Sequence, residues 1–368
     1  MKLIRSSKCS LKFATKYKMG ELQTILTEYG NVCNVFIEHF WNKGTPSKSD
    51  LLKDIVDIPK DTWMSARLRK VAAREAIDMI TATKERWKNK PNKMVMPIHK
   101  GKRMYVSCTI AELQNKETAA FDAWLHIASV GGEHIFDLPI KFHKHFNKLA
   151  FQGKRLNSYI ITEKYVQFSF EIETGKKKTG TNAIGIDTGI KALASLNNGA
   201  QFGLDTESLI ERIKRCEHGS NGQKQARRAF KQRIDEVVQE IGKEFKHIDL
   251  VVVEALKNMN YKSKLKRRLS KNMRRSIGTW AYRYWLKRLE QACETNRVSF
   301  RSVAPFYTSQ TCPICGHVDR GNRVGQVFQC LKCGHTGNAD IVAARNILTR
   351  FLTGLYGARY KPYEVKFV

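Results

Sequence analysis

Two hydrophobic periods alternate along the chain. Over positions 1–15, Leu3, Ile4, Leu11 and Phe13 stand among polar residues, which predicts a strand. Over 20–43 the spacing becomes three and four. Leu22, Ile25, Leu26, Tyr29, Val32, Cys33, Phe36, Ile37 and Phe40 then share one helix face. A second helix is expected over 64–87, with Met64, Leu68, Val71, Ala72, Ile77 and Ile80 inward and Arg67, Arg69, Lys70 and Arg74 on the other face. From 93 to 173, apolar runs at 94–98, 103–110, 134–138, 158–161 and 165–172 predict a β-rich region that takes the first strand as a partner. A polar connector at 176–180 predicts a domain boundary. The second half reads as strands at 183–187, 191–197 and 200–204, then helices at 206–217 and 223–246. A strand at 248–254, a helix at 277–296, a strand at 298–304 and a helix at 339–353 follow.

Composition narrows what this pattern serves. The 368 residues are 42% hydrophobic, which excludes a largely disordered chain. With 65 Lys and Arg against 34 Asp and Glu, the net charge is +31, so a polyanionic partner is expected, nucleic acid first. No run of about 18 apolar residues is present to span a bilayer, and residues 1–13 lack the apolar stretch of a signal peptide. A cytoplasmic protein acting at the nucleoid, with no membrane partner, is the expectation.

The nine cysteines fall into two groups. Cys9, Cys33, Cys108, Cys216 and Cys293 are scattered, whereas Cys312, Cys315, Cys330 and Cys333 form two C-x-x-C pairs. Each pair fits a knuckle turning around one metal, with Gly316 and Gly334 where a positive-φ turn is needed. Four thiolates select tetrahedral zinc and leave no open position, so one structural Zn²⁺ is expected.

The order of elements after 183 resembles the ribonuclease H fold: three strands, helix, strand, helix, strand, helix. Asp187 and Glu254 each end an apolar strand, and Asp340 starts the last helix. A charge at the end of a buried strand is costly without a partner. Three such acids brought together would share divalent cations, two Mg²⁺ ions, for phosphodiester hydrolysis. Taken singly, Asp187 also fits the phosphate loop of actin-like ATPases, Glu254 a surface acid, and Asp340 a helix-dipole partner. The zinc module between the second and third acids and the strong positive charge weigh against those readings together.

The residues that carry the sharpest resemblance are 185–189 (GIDTG), 252–256 (VVEAL), 307–315 (YTSQTCPIC) and 338–346 (NADIVAARN). In this order they are similar to the TnpB family of transposon-encoded RNA-guided nucleases, related to compact type V CRISPR effectors and Fanzor proteins. The resemblance implies an α+β multidomain protein. Its parts would be an N-terminal β-barrel-like wedge domain (1–15 and 93–179) with an inserted helical recognition domain (16–92), and a C-terminal RNase H-like (RuvC) nuclease domain (180–304 and 338–368) with an inserted zinc ribbon (305–337). Asp187, Glu254 and Asp340 would be the catalytic, Mg²⁺-binding acids, and the four cysteines the target-nucleic-acid-binding module. The implied activity is RNA-guided cleavage of double-stranded DNA beside a short flanking motif, with a guide RNA from the transposon end. A compact CRISPR effector or a nuclease-dead RNA-guided regulator are the alternatives.

Cations for phosphate contacts follow from spacing. Lys262, Lys264, Lys266, Arg267, Arg268, Lys271, Arg274 and Arg275 would place charge on every face of a helix. Arg67 and Arg74 are candidates for a guide–target duplex, and Arg323, between the cysteine pairs, for a substrate phosphate.

Overall fold

The computed structural model describes residues 2–115, 120–256, 276 and 279–354. The chain divides into two compact units, Met1–Glu173 and Thr174–Val368.

The first unit opens with β1 (Lys2–Ser10) and the long helix α1 (Lys16–Lys43). Thr15 caps α1 by accepting from the Lys18 N–H, and the nine apolar residues of its expected face are all buried. A short helix, α2 (Lys53–Val56), precedes α3 (Ala66–Trp87), which Ser65 caps through the Leu68 N–H. Leu68, Ala72, Ala73, Ala76, Ile77 and Ile80 of α3 pack in the same core as α1. The alanines let the two helix backbones approach closely.

The remaining elements are β2 (Arg103–Ser107), β3 (Ala111–Gln114), β4 (Ala123–Ile127), β5 (Phe136–Ile140), α4 (Lys144–Gln152), β6 (Lys154–Thr162) and β7 (Tyr165–Glu173). They form two antiparallel sheets, ordered β1-β7-β6-β2 and β3-β4-β5. The expected partnership of the first strand is with β7, running from Lys2 opposite Glu173 to Ser10 opposite Tyr165.

Three local expectations need correction. Residues 94–98 form no strand, because Pro97 lacks the N–H a ladder needs, and Val95 and Ile98 are 74% and 69% exposed. The run 103–110 ends at Ser107 and turns into β3. Helix α4 was not expected. Only Phe146 and Leu149 of its nine residues are buried, too few to mark a helical period.

The second unit is built on one five-stranded sheet. Its strands are β8 (Ala183–Asp187), β9 (Ala194–Leu196), β10 (Gln201–Phe202), β11 (Leu250–Glu254) and β12 (Ser299–Val303), in the order β10-β9-β8-β11-β12. The first three are antiparallel neighbours, whereas β8, β11 and β12 run parallel. Between strands lie α5 (Thr206–Arg215), α6 (Asn221–Glu244) and α7 (Tyr282–Thr295). Helices α5, α6 and α7 supply Ile210, Ile213, Phe230, Ile234, Val237, Ile241, Trp285 and Leu289 to one core. A small sheet of β13 (Arg323–Val324), β14 (Val327–Gln329) and β15 (Thr336–Asn338) leads into α8 (Ala339–Thr353). Ile347 and Leu348 of α8 pack against Val252 on the sheet's other face. Gly185 marks how closely α8 approaches β8, since a Cβ there would collide with the Ala344 carbonyl and with Leu348. No helix among the described residues is long and apolar enough to cross a membrane.

Candidate nuclease and zinc sites

Asp187 and Glu254 end neighbouring parallel strands. The register pairs Val253 with Ile186, so the two carboxylates leave the sheet at the same edge. Asp340 joins them from α8. The Asn338 side chain caps that helix by accepting from the Asp340 and Ile341 N–H groups, which fixes Asp340 in the first turn. Glu254 and Asp340 are both close enough to act on Asp187. Burial first, then repulsion from Glu254 and Asp340, holds the Asp187 carboxyl well above the usual range, with Arg323 and the Thr188 N–H opposing. Glu254 is raised mainly by burial, against the Thr308 hydroxyl and the nearby Arg350 and Arg323.

Arg323 is the close counter-charge. Its Nη2 donates to Asp340 Oδ1 at 2.7 Å while its Nε donates to the Gly325 carbonyl at 3.0 Å. The Asp340 side chain is 10% exposed, so this pair is largely desolvated. Hard anionic oxygens in excess over nearby cations fit a divalent metal ion such as Mg²⁺.

The cysteines meet as their spacing predicts. Their four sulfur atoms lie within 4.8 Å of one another, with Cys312–Cys333 and Cys315–Cys330 both at 3.6 Å. A tetrahedral Zn–S distance of about 2.3 Å places sulfurs about 3.8 Å apart, so the set fits one zinc ion. Gly316 and Gly334 adopt φ of 72° and 73°, the left-handed turns expected of each knuckle. Burial works against the Cys330 thiolate, but the Cys333 and Lys332 N–H groups and the neighbouring thiols draw it down to about 7.

Several further residues shape the site. Tyr282 donates its hydroxyl to the Glu254 carbonyl at 2.9 Å and accepts from the Leu256 N–H, fixing the end of β11. Trp285 Nε1 donates to Thr188 beside Asp187. Both aromatics serve the core, as does Trp280, which is 7% exposed. Asn197 bridges to Gly185 through both its side-chain oxygen and its backbone N–H.

Of the remaining nucleic-acid candidates, Arg67 and Arg74 lie on the exposed face of α3. Arg69 does not: it is tied to Asp57 at 2.8 Å and to the Pro59 carbonyl. Lys262, Lys264, Lys266, Arg267, Arg268, Lys271, Arg274 and Arg275 lie outside the described residues.

Parts of the chain are similar to known proteins. The family described as Cas12f1-like, TNB domain matches residues 282–347, from α7 through the cysteine module into α8. The CRISPR-associated endodeoxyribonuclease Cas12f1 of Sulfoacidibacillus thermotolerans is 40% identical over 74 residues, 20% of this chain and 18% of that protein. The TnpB-like protein aq_aa05 of Aquifex aeolicus (strain VF5) is 30% identical over 139 residues, covering 35% and 44%. The chain thus spans less than half the length of these curated relatives. In fold it resembles the protein of a solved Cas12f1–sgRNA–target DNA complex, with a TM-score of 0.57 at 18% identity over 89% of this chain and 81% of that one. The chain has the mixed helix-and-sheet fold of the compact effectors. Its likeness to TnpB, first drawn from four short motifs, holds across independent comparisons.

Proposed function

We propose that this chain is an RNA-guided DNA endonuclease of TnpB type. The observation that carries the proposal is the convergence of Asp187, Glu254 and Asp340 from β8, β11 and α8, close enough that Glu254 and Asp340 both act on Asp187, in a chain whose net charge is +31. The strand order β10-β9-β8-β11-β12, with three antiparallel strands followed by parallel ones, supports reading residues 180–304 and 338–368 as an RNase H-like (RuvC) nuclease domain. Residues 305–337 are then its inserted zinc ribbon, 16–92 the helical recognition domain, and 1–15 with 93–179 the wedge domain.

In this reading the three acids hold the Mg²⁺ ions, two in number. Bound divalent cations would render a water nucleophilic and screen charge on the leaving oxygen. The protein's own part is to hold the acids aligned and away from bulk water, where burial raises Asp187 and Glu254 and a bound cation would favour their ionised form. Arg323, released from Asp340, is placed to meet a substrate phosphate. Guide RNA would supply sequence by pairing with one DNA strand, and the protein would read duplex shape and a short flanking motif. A compact CRISPR effector with the same chemistry shares these observations. Flanking genomic sequence separates the two, repeat arrays marking the CRISPR case and transposon ends the TnpB case.

The test is guide-programmed cleavage of a double-stranded plasmid, with target binding measured in parallel. Asp187→Ala, Glu254→Ala and Asp340→Ala should each lose orders of magnitude in cutting and keep binding. Full cutting by the Glu254→Ala or Asp340→Ala protein would show that the acids are misassigned.

A further inference from the structure

The loop between β12 and the first cysteine pair is held from several sides. Asn346, on α8, donates to the carbonyls of Thr308 at 2.7 Å and Thr311 at 2.8 Å. Arg350, one turn further along, donates to the carbonyls of Ala304 and Phe306. The Thr311 hydroxyl donates back to the Tyr307 carbonyl at 2.7 Å. Tyr307 itself has φ of 61°, a left-handed conformation that residues with a side chain seldom hold unless their surroundings impose it.

What this bracing fixes is Thr308. It is 3% exposed, and its hydroxyl donates to Glu254 Oε1. A threonine hydroxyl carries one proton, so this hydrogen bond sets the rotation of the carboxylate and leaves Oε2 with both its lone pairs. The Glu254 main chain is already held by Tyr282. Helix α8 therefore reaches two acids at once: it carries Asp340, and through Asn346 and Arg350 it holds the loop that aims Glu254.

We propose that Thr308 is a positioning residue, whose hydroxyl orients Glu254 so that its second oxygen is offered to a divalent cation. This rests on the reading of Asp187, Glu254 and Asp340 as a cation site. Its effect belongs to the cation, not to nucleic acid. Hydroxyl and carbonyl partners of ligating carboxylates act by fixing the ligand's direction, and their loss weakens metal affinity by about 10–100-fold.

The experiment uses the full chain without nucleic acid and Mn²⁺ as the probe, with binding followed by electron paramagnetic resonance. Thr308→Val removes the hydroxyl at nearly constant volume, and Thr308→Ser keeps it. Thr308→Val should raise the half-saturating Mn²⁺ concentration by about 10–100-fold, and Thr308→Ser should bind close to wild type. Zinc content and thermal unfolding, measured alongside, report whether each variant keeps its fold. Should valine unfold the loop, Thr308→Ala removes the same hydroxyl without adding a methyl group. Wild-type Mn²⁺ affinity in a folded Thr308→Val or Thr308→Ala protein overturns the role of Thr308 and leaves the cation site standing. Equal Mn²⁺ binding by wild type and Glu254→Ala overturns the site itself, and the role of Thr308 with it.

Discussion

Both units bury carboxylates, and they treat them in opposite ways. In the first unit Glu75 is 2% exposed at its side chain and is surrounded by donors. Tyr29 donates to Oε2 at 2.9 Å, and Arg103 donates to Oε1 through Nε at 3.0 Å and Nη2 at 2.8 Å. His99 lies 3.5 Å from the same oxygen. Its Nδ1 accepts from the Gly101 N–H, which puts the ring proton on Nε2, facing Glu75. In the second unit Glu254 and Asp340 both bear on Asp187, with Arg323 hydrogen-bonded to Asp340 and Arg350 acting on Glu254 from nearby. A buried charge is tolerable when its partners are built in. Glu75 is therefore structural, tying α1 and α3 to β2. The three acids have fewer built-in donors, and in the function proposed above a divalent cation would balance them. Burial alone does not distinguish a framework acid from a functional one; the count of built-in donors does.

The comparison breaks most visibly at the zinc. The acid cluster leans on a removable element, since Arg323 lies between the cysteine pairs and Thr308 just before them. The Glu75 cluster leans on none. Cys330→Ser, or treatment with a strong chelator, should take the zinc content from about one per chain to none. Zinc binding can contribute about 10–16 kcal/mol of apparent folding energy to so small a module. Hydrogen exchange should then rise over 305–345 and leave α1, α3 and β2 protected. Unchanged exchange over 305–345 would show that the module holds itself without metal.

A smaller effect, with a diagnostic sign, comes from neutralising one acid in each unit. Glu75→Gln keeps the shape but weakens bonds to Arg103 and Tyr29, so stability should fall. The cost should sit near the lower end of about 1.5–3 kcal/mol for hydrogen bonds to a charged group, because Arg103 is half exposed. Asp187→Asn removes one of three repelling charges. In Mg²⁺-free buffer without chelator, with the zinc retained, it should raise the unfolding temperature above wild type. Adding Mg²⁺ should reverse the order, because the ion stabilises only the protein that binds it well. If both variants lose stability in Mg²⁺-free buffer, the acids of the second unit are as well balanced as Glu75, and the contrast fails.

Much of this could be read from residue pattern. The face of α1 follows from three-and-four spacing, because packing against a core repeats every turn, whereas α8 is buried nearly all round, at 342–344 and 346–350, and no such stripe describes it. Asp187, Glu254 and Asp340 stood out as charges at the ends of apolar runs, and the knuckle glycines as partners to paired cysteines. The work of Tyr282, and of Thr308 and Asn346 although both lie inside the motifs at 307–315 and 338–346, was not legible there. Their work is done by single hydrogen bonds between loops and element ends far apart in sequence, which leave no periodic trace. The strands β3 and β4 were missed for a related reason. Each has only a few inward residues, Ala111 and Leu113 in one, Ala123, Leu125 and Ile127 in the other, and polar residues surround them.

The smallest expected effect concerns cations that look alike in sequence. Arg67, Arg69 and Arg74 share the same stretch of α3, yet Arg67 and Arg74 face solvent, whereas the Arg69 side chain is 17% exposed and paired with Asp57. A cation contributes to polyanion affinity only if its phosphate contact displaces a condensed counterion. Arg69 is already paired, so Arg69→Ala should lower stability and leave the salt dependence of RNA or heteroduplex binding unchanged. Replacing Arg67 and Arg74 together by Ala should flatten the slope of log affinity against log salt by roughly 1.4–1.8, the share of two phosphate contacts. Filter binding across a salt series, with unfolding temperatures taken on the same preparations, separates the two. If Arg69→Ala flattens the slope as much as the double variant, the exposed face of α3 is not the one that meets phosphate, and its charge is solvated surface like that of any amphipathic helix.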